Sequence, residues 1–443
     1  MKELTTKGIK DTTGKELKNL PEGWVWTTIA KVTLPIEKVS PKLQPDVPFV
    51  YIDISSIDNS IQKIVEPKEY LGLEAPSRAK QLVRVNDVVF STVRTYLKNI
   101  ALIPRIYDGQ IASTGFSVLR TSNAVNAKFL FYYTLTDEFL SPLNELQRGT
   151  SYPAIRDGDV RIQPFPLPPL PEQERIVARI EELLSDLEAG VSALQRVRAG
   201  VKRYKASVLK AAVEGNLYVG AHGVRPSGQA GQAIGVGDLP EGWRWVKLDD
   251  IADIIGGVTK GRKLNGKTTI TLPYLRVANV QRGRLDLDVM KEIEILTSEI
   301  EKYRLHDGDV VLTEGGDWDK LGRSAIWRNQ IPNCIHQNHI FRARVKSSEV
   351  LSEWMMYYTN SEQGQNYFKE AAKQTTNLAS INLTQLRACP LPLPLLEEQR
   401  RIVAEVEQRL EAVRAVEAAA EAGLKRAVRL RQALLRSAFE GRL

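Results

Sequence analysis

The stretch that decides the fold is Pro166-Leu-Pro-Pro-Leu-Pro-Glu-Gln-Glu-Arg-Ile176, because part of it occurs twice. Its residues Glu172-Gln-Glu-Arg-Ile-Val-Ala178 return much later in the chain as Glu398-Gln-Arg-Arg-Ile-Val-Ala404. Prolines cannot continue a helix and favour an extended segment, whereas acidic side chains in a first helical turn complement the helix dipole. The sequence therefore predicts two long helices, each preceded by an extended proline-rich segment.

The repeat covers the whole chain. Leu20-Pro-Glu-Gly-Trp24 returns as Leu239-Pro-Glu-Gly-Trp243, and Glu214-Gly-Asn-Leu217 returns as Glu440-Gly-Arg-Leu443. The offset is constant from the start to the end of the helices and is smaller for the tryptophan motifs before them, which indicates helices of equal length after globular blocks of unequal length. Solenoid units are only about 20 to 50 residues long, so the sequence indicates duplication of a domain together with its helix.

The repeat gives a fold class and a set of boundaries. The globular blocks mix short β-rich runs with helical stretches, which predicts a mixed α/β class: two globular α/β domains separated by two long helices that pair as an antiparallel coiled coil, in a pseudo-two-fold tandem repeat. The predicted segments are an N-terminal segment 1–18, a first globular domain 19–170, a central helix 171–217, a Gly-rich linker 218–238, a second globular domain 239–395 and a C-terminal helix 396–443. Predicted strands are Val47–Ile54, Val83–Phe90 and Tyr274–Val280, and predicted helices are Ala127–Leu140 and Ser352–Phe368.

Heptad spacing marks a seam on both helices. Apolar residues separated by steps of three and four form the stripe that a coiled coil requires. In the first helix they are Ile176, Ile180, Leu183, Leu187, Leu194, Val197, Val201 and Tyr204, and in the second they are Ile402, Val406, Val413 and Leu434. The second stripe is weaker, since Arg409 and Ser437 interrupt it. An alternative is that each helix packs only on the surface of its own domain.

The charge and the cysteine content limit the class of protein. The net charge is +8 and the sequence pI is near 9.2, which favours a polyanionic partner. Two cysteines, Cys334 and Cys389, are too few for a disulfide framework, and no run of about 18 apolar residues occurs. We therefore expect a cytoplasmic protein with free thiols and no membrane partner.

Several loops are rich in side chains suited to DNA. Arginine and lysine bind guanine edges and phosphates, and amides bind adenine. The candidates in the first domain are Arg94, Tyr96, Lys98, Ser113, Thr114, Arg148, Thr150 and Ser151. The candidates in the second domain are Lys260, Arg262, Arg276, Asn279, Lys320, Arg323, Gln337, Asn338, His339, Gln374, Thr375 and Asn377. For each residue taken alone, an ordinary solvated surface position explains the same identity.

One motif matches a phosphate-binding loop. Gly261-Arg-Lys-Leu-Asn-Gly-Lys-Thr268 has the required pattern, but such a loop lies between a strand and a helix. The following residues are β-branched and contain Pro273, which favours a strand. We therefore expect a basic loop rather than a nucleotide site.

A second pattern suggests a nuclease. Pro45-Asp46 followed by Glu66-Pro67-Lys68 resembles the acid and lysine spacing of metal-dependent nucleases. Pro67 would break the strand that such a site needs. We therefore expect no catalytic residue here.

A third pattern suggests zinc. Cys334, His336 and His339 provide three of the four ligands that a closed structural site requires. With the fourth ligand missing, we expect no metal site and a strand whose Gln337, Asn338 and His339 face DNA or the core.

The chain as a whole resembles the specificity subunits of type I restriction-modification systems. The resemblance rests on the tandem repeat, on the Leu-Pro-Glu-Gly-Trp segments that begin at Leu20 and Leu239, and on the Pro166–Ile176 stretch. Its most specific element is the proline-led Glu-Gln-x-Arg-Ile helix start, present at Glu172–Ile176 and at Glu398–Ile402.

The resemblance implies two target recognition domains, each reading one half of a bipartite asymmetric site in double-stranded DNA, held apart by the paired helices. It implies two methylation subunits on the helices that methylate adenine N6 with S-adenosylmethionine, and restriction subunits that use ATP and magnesium for translocation and cleavage. Helices of fixed length would set the gap between the half-sites. No cofactor and no catalysis is assigned to this chain.

Two alternatives to this function remain open at the level of the sequence. The first is a DNA-binding scaffold or an orphan specificity protein that acts without methylation partners. The second is a nuclease or NTPase that uses the patterns at Pro45 or Gly261.

Overall fold

The computed structural model describes residues 14, 16–149, 151–217, 239–264, 266–374 and 379–443, with Gln374 described for its backbone only. Contacts divide the chain into two compact units, one formed by residues 1–194 and 421–443 and the other by residues 195–420. Each unit therefore contains one globular domain and part of each long helix. The predicted linker 218–238 and most of the segment 1–18 lie outside the described residues. Among the described residues, no helix has both the length and the apolar composition that crossing a membrane requires.

The first repeat has twelve strands and five α-helices in its described part. The strands are β1 Val25–Thr28, β2 Thr33–Leu34, β3 Pro48–Ile52, β4 Ile57–Asp58, β5 Lys63–Ile64, β6 Lys68–Leu71, β7 Ala79–Leu82, β8 Val88–Ser91, β9 Ile100–Leu102, β10 Ile111–Ser113, β11 Phe116–Thr121 and β12 Pro164–Leu167. The helices are α1 Ile29–Val32, α2 Ala127–Thr134, α3 Asp137–Glu145, α4 Asp157–Arg161 and α5 Leu170–Val213, and the 3-10 turns are Pro41–Leu43, Ile54–Ser56, Gly72–Glu74, Thr95–Leu97 and Arg105–Tyr107.

Two four-stranded sheets organise the first domain, in the orders β6-β3-β10-β7 and β2-β11-β8-β9. The pairing of β3 with β10 is parallel, and the other pairs in these sheets are antiparallel. The core on one face of the second sheet is shared by α2, α3 and the long helices. The domain is therefore the mixed α/β class that the sequence predicts.

The second repeat has fourteen strands and six α-helices in its described part. The strands are β13 Arg244–Lys247, β14 Ala252–Gly256, β15 Thr269–Leu275, β16 Val280–Gln281, β17 Arg284–Leu285, β18 Lys291–Leu296, β19 Val310–Thr313, β20 Gly315–Gly316, β21 Ser324–Ile326, β22 Ile335–His336, β23 Ile340–Val345, β24 Lys373–Gln374, β25 Ala379–Ser380 and β26 Pro390–Leu393. The helices are α6 Leu248–Ile251, α7 Ile300–Tyr303, α8 Ser352–Asn360, α9 Glu362–Ala371, α10 Leu383–Arg387 and α11 Leu396–Phe439, and the 3-10 turns are Val277–Asn279, Thr297–Glu299 and Trp318–Lys320.

The sheets of the second domain follow the same plan. The order β14-β23-β19-β21 repeats β2-β11-β8-β9 of the first domain, and β18-β15-β22 repeats β6-β3-β10. The pairing of β15 with β22 is parallel, like that of β3 with β10. The second domain adds a small sheet in the order β20-β25-β24. The duplication predicted from the motifs therefore extends to the strand order.

The proline-rich segments, which the sequence predicts to be extended, are paired strands. β12 pairs antiparallel with β1, and β26 pairs with β13 in the same register. In a strand, alternate amides point to the same edge, so Pro164 and Pro166 remove donors from one edge and leave the other edge able to pair. The spacing of the prolines therefore suits a two-stranded sheet.

Two predicted helices are each broken in the middle. α2 ends at Thr134 and α3 begins at Asp137, because the Thr136 side chain accepts a hydrogen bond from the Phe139 amide and caps the new helix. In the second domain, Ser361 caps α9 in the same way. Hydroxyl side chains that bind backbone amides start new helices, which periodicity alone does not reveal.

Two predicted strands end earlier or begin later than expected. β8 begins only at Val88, because Asn86 is left-handed, with φ 68°, and the Asp87 carboxylate binds the Arg84 amide at 2.8 Å. β15 ends at Leu275, where the Asn279 side chain accepts from the Arg276 amide and closes a 3-10 turn. Side chains that bind the backbone locally set both boundaries.

The glutamine of the repeated Glu-Gln-x-Arg-Ile motif fixes the first helix to its domain. Gln173 is fully buried, and its Oε1 accepts from the Asn126 amide at 2.8 Å. Its Nε2 donates to the carbonyls of Ala124 and Pro168 at 3.0 and 2.8 Å. One side chain therefore joins the start of α5 to the segment that leads into α2.

Gln399 makes the same contacts in the second repeat. It is fully buried, accepts from the Leu351 amide at 3.0 Å, and donates to the carbonyls of Glu349 and Pro394 at 2.8 and 2.9 Å. The motif that identified the repeat is therefore a structural element at both helix starts.

A buried ion pair is also duplicated. Asp87, with a 2% exposed side chain, accepts from Nε and Nη2 of Arg120 at 3.0 and 2.9 Å, and Asp309, with no exposed side chain, accepts from the same atoms of Arg344 at 2.7 and 2.8 Å. These hydrogen bonds raise the pKa of both guanidinium groups. Both domains are therefore built around the same charged pair.

In the first unit, the start of α5 lies beside the end of α11. Arg175 donates to the carbonyl oxygen of Leu443 at 2.8 Å, and farther along α5 Leu194 lies against Gly423. Residue numbers rise along one helix and fall along the other, so this pairing is antiparallel. The core residues that the two segments share are Ile176, Val177, Ile180, Leu184, Leu435, Ala438 and Phe439.

In the second unit, the end of α5 lies beside the start of α11. Val208 and Ala212 share a core with Ile402 and Val406, and Lys205 forms an ion pair with Glu417. The order of these contacts is again antiparallel, as the sequence predicts.

One of the two predicted lines of the seam begins at buried Ile176 but does not stay buried along the helix. Val197 and Tyr204 are 41% and 45% exposed, whereas Leu184 and Ala212 are 7% and 0% exposed. The line through Ile180 and Val201 is buried as predicted, but its companion lies one residue later than predicted. Residues 183 and 184 are both leucine, so the local sequence at that point fits either line.

Candidate DNA interface

Three loops of the first domain are joined by backbone hydrogen bonds. The Thr92 amide donates to the carbonyl of Gly115 at 2.9 Å, and the Ile155 amide donates to the carbonyl of Thr92 at 2.9 Å. Val93 and Ala154 form a further antiparallel bridge. The loop after β8, the turn between β10 and β11, and the segment between α3 and α4 therefore lie together.

Arg94 is held in a fixed position in this group of loops. Its backbone is left-handed, with φ 49°, and its Nη2 donates to the carbonyl of Ser151 at 3.0 Å. The guanidinium carbon lies 4.8 Å from the ring centroid of Tyr152, which is 72% exposed. A guanidinium oriented in this way presents its donors without further ordering, as contact with a base or a phosphate requires.

The other first-domain candidates, apart from Ser113, are described by their exposure and their partners. Tyr96 is 51% exposed, and the Lys98 ammonium lies 3.3 Å from Asp137. Thr114, Arg148 and Ser151 are exposed, and Thr150 lies outside the described residues.

Ser113 is 3% exposed and its polar atoms bind within the domain. Its hydroxyl accepts from the Gly115 amide at 3.1 Å, and its carbonyl accepts from Gln81 at 2.7 Å. The interior position therefore corrects the prediction of a DNA contact by this side chain.

The second domain assembles the corresponding loops in the same way. The Glu314 amide donates to the carbonyl of His339 at 3.0 Å, and the Ile381 amide donates to the carbonyl of Glu314 at 2.9 Å. Gly316 of β20 pairs with Ala379 of β25. The predicted Gln337, Asn338 and His339 lie in this group.

The exposed polar side chains of this group differ from those of the first domain. Gln337 and Asn338 are half-buried, and His339 is exposed with its Nδ1 2.5 Å from a carboxylate oxygen of Glu314. Gln337 and Asn338 stand here where the first domain has Ser113 and Thr114, and His339 stands where it has Gly115.

Lys320 and Arg323 are held close to acidic residues. Lys320 forms an ion pair with Asp317. Arg323 binds Asp319 at 2.5 Å and donates to the side-chain oxygen of Gln281 at 2.9 Å. Both candidates lie on the segment that joins β19 to β21.

Four further candidates lie on other segments of the second domain. Lys260 is exposed, and Arg262 binds both carboxylate oxygens of Glu299 at 2.8 Å. Arg276 donates to the backbone of Val289 at 3.2 Å. The Asn338 and Gln337 amides donate to the carbonyls of Val258 and Leu275 at 2.9 and 3.0 Å, so Lys260 and Arg276 follow segments that pair with the group around His339.

Asn279, the fourth, is 3% exposed and its amide donates to the carbonyls of Asp286 and Val289. It therefore shapes a turn, which corrects its predicted role as a base contact. Of the remaining candidates, Gln374 is described for its backbone only, and Thr375 and Asn377 lie outside the described residues.

Two exposed aromatic residues near these loops were absent from the sequence prediction. They are Tyr152, which lies against Arg94, and Trp318, which is 43% exposed in a 3-10 turn. The internal repeat contained the signal for Trp318, because the offset that relates Asn86-Asp-Val-Val to Gly308-Asp-Val-Val also relates Tyr96 to Trp318.

The phosphate-loop pattern has the wrong surroundings for nucleotide binding. The segment that ends at Thr268 leads into β15, a strand that pairs with β18, whereas a phosphate loop requires a helix at this point.

The strand register separates the residues of the nuclease pattern. Pro48 of β3 lies opposite Leu71 of β6, and Tyr51 lies opposite Lys68. Asp46 precedes Pro48, so about five residues of extended chain, or roughly 17 Å, separate Asp46 from Lys68 along the pair.

The side chains of Cys334, His336 and His339 lie in three different environments. Burial raises the pKa of the Cys334 thiol to about 12, and burial lowers the pKa of His336 to about 4. His336 Nδ1 lies 2.8 Å from the carbonyl oxygen of Ile340, while His339 contacts Glu314 at the surface. Within the described ranges, no group of three or more such side chains is arranged to hold a metal ion.

A family model matches both halves of the chain. It is the type I restriction modification DNA specificity domain, and it matches residues 37–195 and 240–421. The two matched ranges correspond to the two repeats, each with part of its helix.

Individual relatives are similar along nearly the whole chain. The StySPI specificity subunit of Salmonella potsdam is 24% identical over 438 residues, which cover 96% of this chain and 90% of that protein. The EcoKI specificity subunit of Escherichia coli K12 is 22% identical with the same coverage.

Two solved structures are similar over 96% of this chain. One comes from work on complex assembly and conformational transition of a type I R-M system, with a TM-score of 0.74, 35% identity and full coverage of that chain. The other is the HsdS subunit from Thermoanaerobacter tengcongensis, with a TM-score of 0.53, 32% identity and 99% coverage of that chain.

Proposed function

This chain belongs to the type I restriction-modification specificity subunits, and on that premise we propose that it reads a bipartite gapped DNA site, one half with each recognition domain. The family that the repeated motifs predicted is confirmed, and with it the role of a non-catalytic DNA recognition subunit. The finer proposal concerns which DNA is read and which partners act on it.

The observation that carries the proposal is one scaffold with two different sets of residues at one turn, where Thr114 is exposed in the first domain and His339 in the second. Ser113-Thr114-Gly115 of the first domain corresponds to Gln337-Asn338-His339 of the second, at the same turn beside the same strands. Base edges are read by the identity and position of such polar side chains. Domains of equal fold and unequal loops should read unequal half-sites, which gives an asymmetric motif.

The exposed apolar residues of the long helices support a partner-binding role. In the second unit Val197 and Tyr204 are 41% and 45% exposed, and in the first unit Val428 and Leu430 are 69% and 47% exposed. Each unit therefore offers apolar helix surface, which suits one methylation subunit per unit and two per chain. A related solved structure concerns complex assembly in a type I R-M system.

The chemistry belongs to the partners in this proposal. Methylation subunits with S-adenosylmethionine would methylate adenine N6 in each half-site, which requires the adenine to leave the base stack. Restriction subunits would use ATP and magnesium to cleave unmodified DNA. The chain itself positions these subunits on DNA in the cytoplasm.

The two helices have 44 residues each, and we propose that their length sets the number of unread base pairs between the half-sites. Matched insertions of one heptad in both helices should preserve the seam. We expect such a variant to change the gap and to leave both half-sites unchanged.

The decisive experiment is expression of the chain with its methylation subunit in a host without adenine methylation, followed by sequencing that detects N6-methyladenine. We expect a gapped motif with two different halves. A continuous palindrome, or modification without a motif, would contradict the proposal. Absence of modification would instead indicate an orphan specificity protein.

A chain with the second recognition domain in both positions sharpens the test. Both halves of its motif should then be the half-site of the second domain. A motif that remains asymmetric would show that the two domains do not each read one half.

The partner surface has its own test. Tyr204→Asp and Val428→Asp place a charge on the proposed apolar surfaces and should reduce co-purification of the methylation subunit. Glu182→Gln, at an exposed ion pair on α5, is the control. Unchanged co-purification of both Asp variants would refute helix surfaces as the binding site.

A further inference from the structure

We propose that Tyr96 and Trp318 are matching aromatic wedges, each of which stacks on a base of the half-site read by its own domain. This inference rests on the proposed function, because it assigns a mode of contact to the loops that read DNA. It adds Trp318 to the candidate residues and gives Tyr96 a defined role.

The two residues occupy the same place in the fold. Tyr96 lies five residues after β8 ends at Ser91, and Trp318 lies five residues after β19 ends at Thr313. Each lies in a 3-10 turn on the segment that leads to the next antiparallel strand. The domains have diverged in most loop residues, yet both carry a large aromatic ring at this position.

Both rings are open to solvent. Tyr96 is 51% exposed and Trp318 is 43% exposed, and neither packs against another aromatic ring within the described parts of the chain. A single exposed aromatic residue is ordinary at a protein surface. A pair at corresponding positions of duplicated domains is a more specific observation.

The turn that carries Tyr96 is rigid. Thr95 is 1% exposed, and its hydroxyl donates to Asn144 Oδ1 at 2.6 Å. Arg94 and Lys98 on either side have left-handed backbones, with φ 49° and 54°, which non-glycine residues adopt at a cost in energy. The ring is therefore presented by a fixed turn, which lowers the entropy that stacking must overcome.

The turn that carries Trp318 is fixed by different contacts. The Lys320 amide donates to the carbonyl of Asp317 at 2.8 Å, and Leu321 is fully buried after the turn. Arg282 and Arg323 both donate to the carbonyl of Asp319, at 2.9 and 3.1 Å. Different residues therefore hold the aromatic ring in the same kind of turn.

The charges beside each ring favour DNA as the occupant. A lysine follows two residues after each aromatic residue, at Lys98 and Lys320. Their carboxylate partners Asp137 and Asp317 are 54% and 62% exposed, and exposed ion pairs are weak enough for a phosphate to replace the carboxylate. A nucleotide suits this arrangement, because its base can stack on the aromatic ring while its phosphate binds the neighbouring lysine.

Stacking also explains why the two rings need not be identical. A wedge that partly unstacks a base step exposes the π-face of a base, on which Tyr and Trp can both stack without reading hydrogen-bond donors and acceptors. The neighbouring polar residues would supply the sequence preference, and the ring would supply affinity. Loss of one stacked base contact corresponds to about a 5- to 150-fold increase in Kd.

The test uses the full chain assembled with its methylation subunits and a duplex that carries the motif found by methylation mapping. The variants are Tyr96→Ala, Tyr96→Phe, Trp318→Ala and Trp318→Phe. Matched controls are Ile106→Ala and Val289→Ala, which remove exposed apolar side chains from the same two domains. We expect about 5- to 150-fold weaker binding for the Ala variants at Tyr96 and Trp318, and near-native binding for the Phe variants and the controls.

An abasic scan of the duplex identifies the contact. At one or two positions in one half-site, base removal and Tyr96→Ala should have less than additive effects on Kd, and Trp318→Ala should show this only in the other half-site. Native Kd for both Ala variants, additivity at every position, or loss of methylation subunits from the Ala variants would overturn the proposal. Failure of the wild-type complex to prefer its motif over a scrambled duplex would instead refute the proposed function.

Discussion

The two recognition domains agree in their buried polar contacts and differ at their surfaces. The Asp87–Arg120 pair has its counterpart in Asp309–Arg344, and Gln173 has its counterpart in Gln399. Buried charges and amides need partners at fixed positions, so a change in one of them is costly. Exposed loop residues lack this constraint. One scaffold can therefore carry two different sets of surface side chains.

One difference lies inside the scaffold. Ala112 of β10 and His336 of β22 both pair with a parallel neighbour and are both fully buried. The residues 19–170 contain no histidine, so this titratable interior group belongs to the second domain alone. The domains should therefore differ in their response to pH.

The largest effect should follow from breaking the shared ion pairs. Asp87→Asn and Asp309→Asn each leave a guanidinium without its buried counter-charge, and we expect each to cost about 3 to 5 kcal/mol in the free energy of unfolding. Amide hydrogen exchange in urea, followed at the β8·β11 and β19·β23 pairs, measures this cost for each domain. Glu182→Gln serves as control, because its exposed pair contributes less than about 1 kcal/mol. A large loss of unfolding free energy in only one domain would show that the two ion pairs are not equivalent.

The second largest effect should be a greater loss of stability in acid for the second domain than for the first. Burial lowers the pKa of His336 to about 4 from the usual value of 6.5, so the unfolded chain takes up the proton first as the pH falls. The free energy of unfolding should therefore be unaffected by this group above about pH 6.5. It should fall by about 3 kcal/mol as the pH decreases towards 4.

Hydrogen exchange at several pH values tests this difference, with the first domain as internal reference. His336→Gln stays neutral and should remove the extra acid sensitivity of the second domain. Equal acid sensitivity of both domains in the wild-type chain would contradict the assignment.

The buried glutamines should matter equally in both repeats. Gln173→Leu and Gln399→Leu each leave one backbone amide and two carbonyls without their partner, and we expect each to cost about 2 kcal/mol. Gln408→Leu, at an exposed position of α11, should be nearly neutral. Urea unfolding of the three variants gives the comparison, and unequal costs would show that the motif has different roles in the two helices.

The smallest effect concerns glycines in the helices of the first unit. An added Cβ at Gly190 meets no atom within 4 Å, so Gly190→Ala should stabilise by up to about 1 kcal/mol through helix propensity. At Gly423 the same Cβ would lie 2.8 Å from Leu194 Cδ1, so Gly423→Ala should gain less or destabilise. Thermal unfolding midpoints measure both, and an equal gain would refute close packing at Gly423.

The candidate DNA contacts were partly accessible from the sequence. Residue type placed Arg94 and His339 among the candidates, and the structure brings each into its group of joined loops. The same criterion selected Ser113 and Asn279, which are buried and bind their own backbone. A polar side chain has the same identity in a turn and at an interface, so only burial separates the two roles.

The sequence by itself determined the duplication, the two long helices, their antiparallel order and the family. These features depend on local periodicity and on motifs repeated along the chain, both of which are readable without coordinates. The tertiary structure alone decided that Leu184 rather than Leu183 lies in the seam and that Trp318 is exposed in a 3-10 turn. Those outcomes depend on which distant residues cover a side chain, because burial is a property of the packed chain and not of the local sequence.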